Sequence, residues 1–180
     1  MKPFVVLLGW MLISVAATAQ PDKTYASLEE ALKNPEQVYK LQLRYNGLTQ
    51  LPEGIGKFIN LVKLDLRGNL LTTLPESFGM LRKLEVLDLG DNKLTSLPES
   101  FAMLLHLKEL NLRFNQLEYL PETFGRLGKL QQLDLSGNQL LVLPPNFIQL
   151  SNLLLLDLSR NPQLQLSEPI RAFIREKKLK

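Results

Sequence analysis

Apolar positions recur every 23 residues along most of the chain, in six consecutive units that fill residues 38–175. Within a unit, leucines separated by one polar residue, such as Leu64 and Leu66, predict a short strand with one buried and one solvated face. Five units then carry a Leu-Pro pair, as in Leu74-Pro75, and proline suits the first turn of a short helical segment. Prolines at a fixed phase exclude a long helix or coiled coil, so the pattern indicates short strands that stack into a parallel sheet.

An asparagine follows each predicted strand, at the point where the chain turns away from the sheet. Because its amide both donates and accepts hydrogen bonds, it can satisfy backbone groups that such a turn would otherwise bury unpaired. We therefore expect a structural ladder through the stacked units, formed by Asn46, Asn69, Asn92, Asn115, Asn138 and Asn161.

The consensus LxxLxLxxNxLxxLPxxFxxLxx, seen in residues 61–83 and 84–106, resembles the leucine-rich repeat. The repeat length and the Leu-Pro signature are similar to the Ras-group subclass of that family, in its bacterial secreted form. This resemblance implies an α/β solenoid with a parallel concave sheet, short helical or irregular convex segments and helical caps. It implies binding without naming a ligand, because one fold hosts many binding roles.

Helical caps are predicted at both ends, because each repeat leaves its apolar faces to a neighbour. Residues 20–37 form the N-terminal cap in this interpretation, with Ser27 and Glu30 as a capping box at the start of a helix. Residues 168–180 form a C-terminal capping helix and tail that overlap the last repeat, with the helix over residues 168–178 and Ser167 as its N-cap.

Residues 1–19 have the pattern of a cleavable signal peptide. Lys2 provides a positive start, residues 4–16 are apolar, and small residues precede a cleavage site after Ala19. The apolar run is shorter than the roughly 20 residues of a membrane-spanning helix, so we expect no stable span after cleavage. The prediction is a secreted or periplasmic protein that has lost Trp10, the single tryptophan of the chain.

The composition excludes most catalytic chemistry. The chain has no cysteine and one histidine, His106, which excludes thiolate metal sites, cysteine nucleophiles and sites that need two imidazoles. Its formal net charge of +3 is too small to suggest nucleic-acid binding. A calcium site on the aspartates of the predicted sheet would lack the six or more oxygens that Ca²⁺ takes. We expect no enzyme activity, no metal, no cofactor and no nucleic-acid partner.

The solvated strand positions should form the concave face, which solenoids use for binding. One column of this face is mainly acidic and includes Asp65 and Asp88, and arginines lie two residues further along. Because protein interfaces favour tyrosine and arginine as energetic anchors, we predict a partner-binding surface of Tyr39, Tyr45, Asp65, Arg67, Asp88, Arg113 and Phe114.

The function that follows is non-catalytic binding of a protein partner by an exported module. Binding of a cell-surface polysaccharide or peptidoglycan is the alternative, although the face offers few aromatic platforms for a sugar. A second alternative is a structural or accessory envelope protein without a defined ligand. We expect a monomer or weak dimer, and the apolar pair Leu154 and Leu155 packs under the C-terminal cap or forms a dimer contact.

Overall fold

A computed structural model describes residues 22–179 of the chain. The predicted signal peptide, residues 1–19, lies outside the described residues. The described part forms a solenoid with a strand on one side of each turn and a short 3₁₀ helix on the other. None of its helices is long and apolar enough to cross a membrane.

Seven strands form one parallel sheet in chain order. They are β1 (Thr24–Tyr25), β2 (Lys40–Gln42), β3 (Lys63–Asp65), β4 (Val86–Asp88), β5 (Glu109–Asn111), β6 (Gln132–Asp134) and β7 (Leu155–Asp157). From β2 onward each residue pairs with the residue 23 positions later, as Leu64 does with Leu87. The repeat period of the sequence is therefore the register of the sheet.

The core lies between this sheet and the convex segments. The segments of the repeats are the 3₁₀ helices Glu53–Lys57, Glu76–Met80, Glu99–Met103, Phe124–Arg126 and Pro145–Gln149, and a further one, Pro35–Gln37, belongs to the N-terminal cap. Their phenylalanines are buried and stack, with ring centroids 6.1 Å apart for Phe78 and Phe101 and 6.4 Å for Phe124 and Phe147. These rings join one repeat to the next across the core.

The N-terminal cap contains a strand that the sequence pattern did not indicate. Strand β1 pairs with β2 and places the buried ring of Tyr25 beside Leu41. Helix α1 (Leu28–Lys33) follows, and the Ser27 hydroxyl accepts a hydrogen bond from the Glu30 N–H at 3.3 Å. The Glu30 carboxylate pairs with Lys23 instead, so the reciprocal bond of the predicted capping box is absent among the bonds of the described residues.

Helix α2 (Glu168–Glu176) covers the C-terminal end of the core. The Phe173 ring meets Phe147 edge-on at 6.3 Å, and Ile170 is fully buried. The helix is shorter than the predicted 168–178, because Lys178 has a left-handed backbone with φ of 54°. Ser167 is the N-cap residue of this helix, as predicted, and within the described chain its side chain forms no capping bond.

Candidate protein-binding surface

The asparagines hold the turns that follow the strands. Asn92 Nδ2 donates to the carbonyls of Leu66 and Leu89, both at 3.0 Å, and its Oδ1 accepts from the Leu71 N–H at 3.1 Å. The same three bonds link each neighbouring pair of repeats through Asn69, Asn115, Asn138 and Asn161. Each side chain therefore bridges its own turn and the preceding one.

Asn46 differs from the other members of the predicted ladder. Its side chain is exposed, and its backbone N–H donates to Asn69 Oδ1 at 3.0 Å. The residue whose carbonyl it would bridge by analogy, residue 20, lies outside the described residues. The backbone N–H of the first asparagine therefore donates a ladder bond to the next repeat, while its own side-chain amide is exposed.

The acidic column of the concave face also fixes the turns. Asp65 Oδ1 accepts the Arg67 N–H at 3.1 Å, and Asp88 Oδ1 accepts the Gly90 N–H at 2.9 Å. Asn111 holds Arg113 in the same way at 3.0 Å, which shows that the bond needs an acceptor oxygen and no charge. The second oxygen of each aspartate remains for other contacts.

Arginines two residues further along pair with carboxylates of the concave face. Arg44 Nε lies 2.5 Å from Asp65 Oδ2, and Arg67 Nε lies 2.7 Å from Asp91 Oδ2. Arg113 approaches the same Asp91 oxygen at 3.9 Å. Asp91, which was not among the predicted binding residues, thus lies between two of the predicted arginines. Its place in the repeat, 23 residues after Gly68, is the sequence feature that could have included it.

Burial raises the pKa of Asp88 above its usual value of 3.8. The Gly90 N–H opposes this effect by stabilising the carboxylate, and the neighbouring charge of Asp65 adds to it. The pKa of Arg67 is also raised, chiefly by its hydrogen bond to Asp91.

A column at the C-terminal ends of the strands adopts a left-handed backbone in every repeat. Its members have φ between 50° and 70° and are Tyr45, Gly68, Asp91, Phe114, Gly137 and Arg160. Non-glycine residues seldom adopt this region, so the column carries a backbone cost that the turn imposes.

Two aromatic rings of this column lie across the glycines of the next repeat. A Cβ added to Gly137 would come within 2.5 Å of Phe114 Cδ1, and one added to Gly68 would overlap the ring of Tyr45. Tyr45 is nevertheless 66% exposed and Phe114 42% exposed. One face of each ring therefore packs on the backbone of a glycine, and the other face is exposed to solvent.

Phe114 also lies between two guanidinium groups. Arg113 Cζ is 5.9 Å and Arg160 Cζ is 5.6 Å from the ring centroid, which is within the range of cation–π attraction. Within the described residues the buried Nε of Arg113 has no hydrogen-bond partner. Ring contact and a long ion pair thus position this arginine, and Arg160 is a contributor that the predicted set omitted.

The structure brings six of the seven predicted residues to one part of the concave face. Asp65, Arg67, Asp88, Arg113, Tyr45 and Phe114 lie at or just after the C-terminal ends of their strands. Tyr39 precedes β2, at the opposite edge of the sheet, where its carbonyl accepts the Val62 and Lys63 N–H groups. We call the surface of Tyr45, Arg67, Asp91, Arg113 and Phe114 the aromatic–arginine edge.

Two further features lie away from this edge. Leu154 and Leu155 are 66% and 60% exposed, so they do not pack under helix α2. His106 is exposed and contacts the Arg82 carbonyl at 3.0 Å. The described residues contain no group of three or more carboxylate or imidazole side chains arranged to hold a metal ion.

The stacked strands and the asparagine ladder define a solenoid repeat protein. The chain belongs to the leucine-rich repeat family, whose family model matches residues 36–94 and 82–140. Solenoids of this kind bind other molecules on their extended concave surfaces.

Among solved structures, 326 chains match significantly. In the Toll–Spätzle complex of Drosophila, the matching chain is 33% identical, with 67% of this chain and 16% of that chain covered and a TM-score of 0.62. A leucine-rich repeat protein of Leptospira interrogans is 25% identical, with coverages of 77% and 59% and a TM-score of 0.36. This chain thus spans less than two thirds of either one. A search of curated proteins found no significant match.

Proposed function

We propose that this protein is a non-catalytic binding module that takes a protein partner on the aromatic–arginine edge of its concave face. The observation that carries the proposal is the seating of Tyr45 and Phe114 on the backbone of Gly68 and Gly137. Rings fixed in this way lose little conformational freedom when a partner covers them, and tyrosine and arginine are the residues that dominate interface energies.

The electrostatics of the edge support a partner with acidic side chains. Arg67 and Arg113 both pair with the carboxylate of Asp91, and Arg160 contacts the Phe114 ring. Guanidinium groups bind carboxylates through planar, paired hydrogen bonds, so these arginines can donate to acidic groups of a partner. The similar Toll chain was solved in complex with Spätzle, which is consistent with protein binding by this fold.

The test is a crosslinking pull-down from the native envelope with a ring-deleted variant, Tyr45→Asn with Phe114→Asn. Asparagine tolerates the left-handed backbone, so the variant removes the rings and leaves the turns in place. The expected result is loss of the protein captured by the wild type, from a variant that circular dichroism shows to be folded. Undiminished capture would exclude the aromatic–arginine edge.

A charge-reversed pair, Arg67→Glu with Arg113→Glu, tests the arginines separately. The matched control is Arg82→Glu with Arg126→Glu, which reverses two exposed charges away from the concave face. We expect only the first pair to lose the captured protein. Retention of a polysaccharide or peptidoglycan on the wild type, in place of a protein, would favour the carbohydrate alternative.

We also propose that the protein is exported and that residues 1–19 are removed. The support is the sequence of that segment, in which a positive start, an apolar run and small residues follow one another. The expected mature chain begins at Gln20 and has no tryptophan fluorescence. Protein from the envelope fraction with an intact mass equal to that of the chain with residues 1–19 still attached would contradict cleavage.

A further inference from the structure

A cavity of about 660 Å³ lies on the last two strands of the concave face, at its C-terminal end. Side chains of β6 and β7 line it, together with Lys178 of the C-terminal tail. We call it the terminal groove and define it by Gln132, Asp134, Leu154, Leu155, Asp157 and Lys178.

The floor of the terminal groove is apolar where the equivalent positions of most other repeats are polar. Before Leu154 its column holds Tyr39, Val62, Glu85, Lys108 and Gln131, and before Leu155 the next column holds Lys40, Lys63, Val86, Glu109 and Gln132. Both leucines are more than half exposed, although burial of a leucine side chain stabilises a protein by about 1.5–3 kcal/mol. Two adjacent exposed leucines in a cavity form a surface suited to an apolar side chain of another molecule.

The rim of the groove carries carboxylates without cationic partners. Asp134 and Asp157 pair in register on neighbouring strands, which places them about 4.8 Å apart. Each uses Oδ1 to accept a turn N–H, from Ser136 at 2.9 Å and from Ser159 at 2.8 Å. Within the described residues neither aspartate forms an ion pair. The position two residues after each one is a serine, whereas an earlier repeat has Arg113 at that position.

We propose that the terminal groove docks a basic, apolar segment of the partner protein. An apolar side chain packs on Leu154 and Leu155, and a lysine or arginine places its charged head between the second oxygens of Asp134 and Asp157. Lysine and arginine bury their alkyl stems along apolar surface and keep the charge at its rim, which is the arrangement that this groove offers. Lys178 supplies one positive charge against the two carboxylates, so the groove retains a net negative charge.

This inference rests on the proposed function, because the groove belongs to the same concave face and the occupant to the same class of partner. It adds a chemical polarity to that partner: acidic groups face the arginines, and basic and apolar groups face the terminal groove. A second copy of this chain is the competing occupant.

The experiment titrates the whole mature protein with three labelled synthetic 12-residue peptides and follows fluorescence anisotropy. The peptides alternate Lys with Leu, Glu with Leu, and Lys with Ser. We expect the Lys–Leu peptide to bind about tenfold more tightly than either of the other two, because only it supplies both charge and apolar contact. Equal binding of all three peptides, or preference for Glu–Leu, would overturn the proposal.

The variant pair Asp134→Asn with Asp157→Asn removes the charges and keeps the acceptor for each turn, as Asn111 does naturally. We expect it to weaken Lys–Leu binding about tenfold at low salt. The matched control, Glu53→Gln with Glu76→Gln, removes two exposed charges from neighbouring repeats outside the concave face and should leave binding unchanged. An equal loss in both pairs would show non-specific attraction and overturn the proposal.

A third variant, Leu154→Ser with Leu155→Ser, separates the possible occupants. It should lose the Lys–Leu peptide without changing the sedimentation of the protein; conversion of a wild-type dimer to a monomer would identify a second copy as the occupant and overturn the proposal. If the peptide results contradict the groove while the variant lacking the Tyr45 and Phe114 rings still loses the captured protein, only the groove is rejected. If that variant still captures the protein, the aromatic–arginine edge is rejected instead.

Discussion

At the scale of single residues, two asparagines at the same phase of the repeat have different roles. Asn92 is buried and its side chain makes four hydrogen bonds across two turns, whereas Asn46 is exposed. We expect Asn92→Ala to lower the free energy of unfolding by about 1–3 kcal/mol, because buried backbone groups lose their partners. Asn46→Ala should cost less than about 0.5 kcal/mol. Urea unfolding measures both, and equal losses would contradict a role specific to the ladder.

Gly68 and Gly47 provide a matched pair for the seating of the Tyr45 ring. Both have a positive φ, but only at Gly68 would a Cβ meet the ring, since nothing lies within 4 Å at Gly47. Gly47→Ala should cost about 1 kcal/mol from backbone strain alone. Gly68→Ala should cost more, and adding Tyr45→Asn should remove the excess. A thermodynamic cycle without coupling would show that the ring does not rest on Gly68.

Asp88 predicts a specific dependence of stability on pH. Because burial raises its pKa, the folded protein binds this proton more tightly than the unfolded chain does. Wild-type stability should therefore fall, relative to Asp88→Asn, as pH rises from about 3.8 through the raised pKa, and then level off. The variant keeps an acceptor for the Gly90 N–H. Thermal unfolding from pH 3 to 7 tests this, and a difference independent of pH would contradict it.

At the scale of elements, the two capping helices begin differently although serine precedes each. Ser27 accepts the Glu30 N–H, while Ser167 shows no such bond in the described chain. We expect Ser27→Ala to destabilise α1 by about 1 kcal/mol and Ser167→Ala to change stability by no more than a few tenths. Hydrogen exchange of the α1 amides reports the difference. Equal protection in the two variants would show that the Ser27 bond contributes nothing.

Elements with a strong periodic pattern could be predicted from the sequence, and elements outside it could not. Leu64 and Leu87 marked their strands because core leucines recur with the period of the sheet. Strand β1 has only two residues, and Tyr25 occupies the position that a core leucine has in the other strands. The alternation of leucines and polar residues that marks the other strands is therefore missing from its sequence. The end of α2 was set by the left-handed backbone of Lys178, which sequence spacing does not reveal.

The candidate site was predictable in its residue types and less so in its geometry. Arginines beside an acidic column were visible in the repeat, and the structure shows pairs such as Arg67 with Asp91. The turn bonds of the aspartates depend on backbone direction and were not visible. The seating of Phe114 on Gly137 could have been found, because the two residues share a repeat phase 23 positions apart.

At the scale of the whole molecule, stability is carried between neighbours rather than across a common centre. Every strand pairs only with the strands before and after it. Deletion of residues 84–106 removes one complete unit, and we expect a folded chain with lower stability and a six-stranded sheet. Deletion of residues 84–105 breaks the phase and should unfold the C-terminal repeats. Circular dichroism and urea unfolding distinguish the two, and equal stability would contradict this nearest-neighbour description.

The constant spacing of the strands makes the concave face a ruler for whatever covers it. Tyr45 and Phe114 are three repeats apart, which corresponds to about 14 Å across the sheet. An extended segment rises about 3.3 Å per residue and a helix 1.5 Å, so the two rings would be met by side chains about four residues apart in the first case and about ten in the second. The separation of contact residues along a bound partner would therefore distinguish an extended segment from a helix.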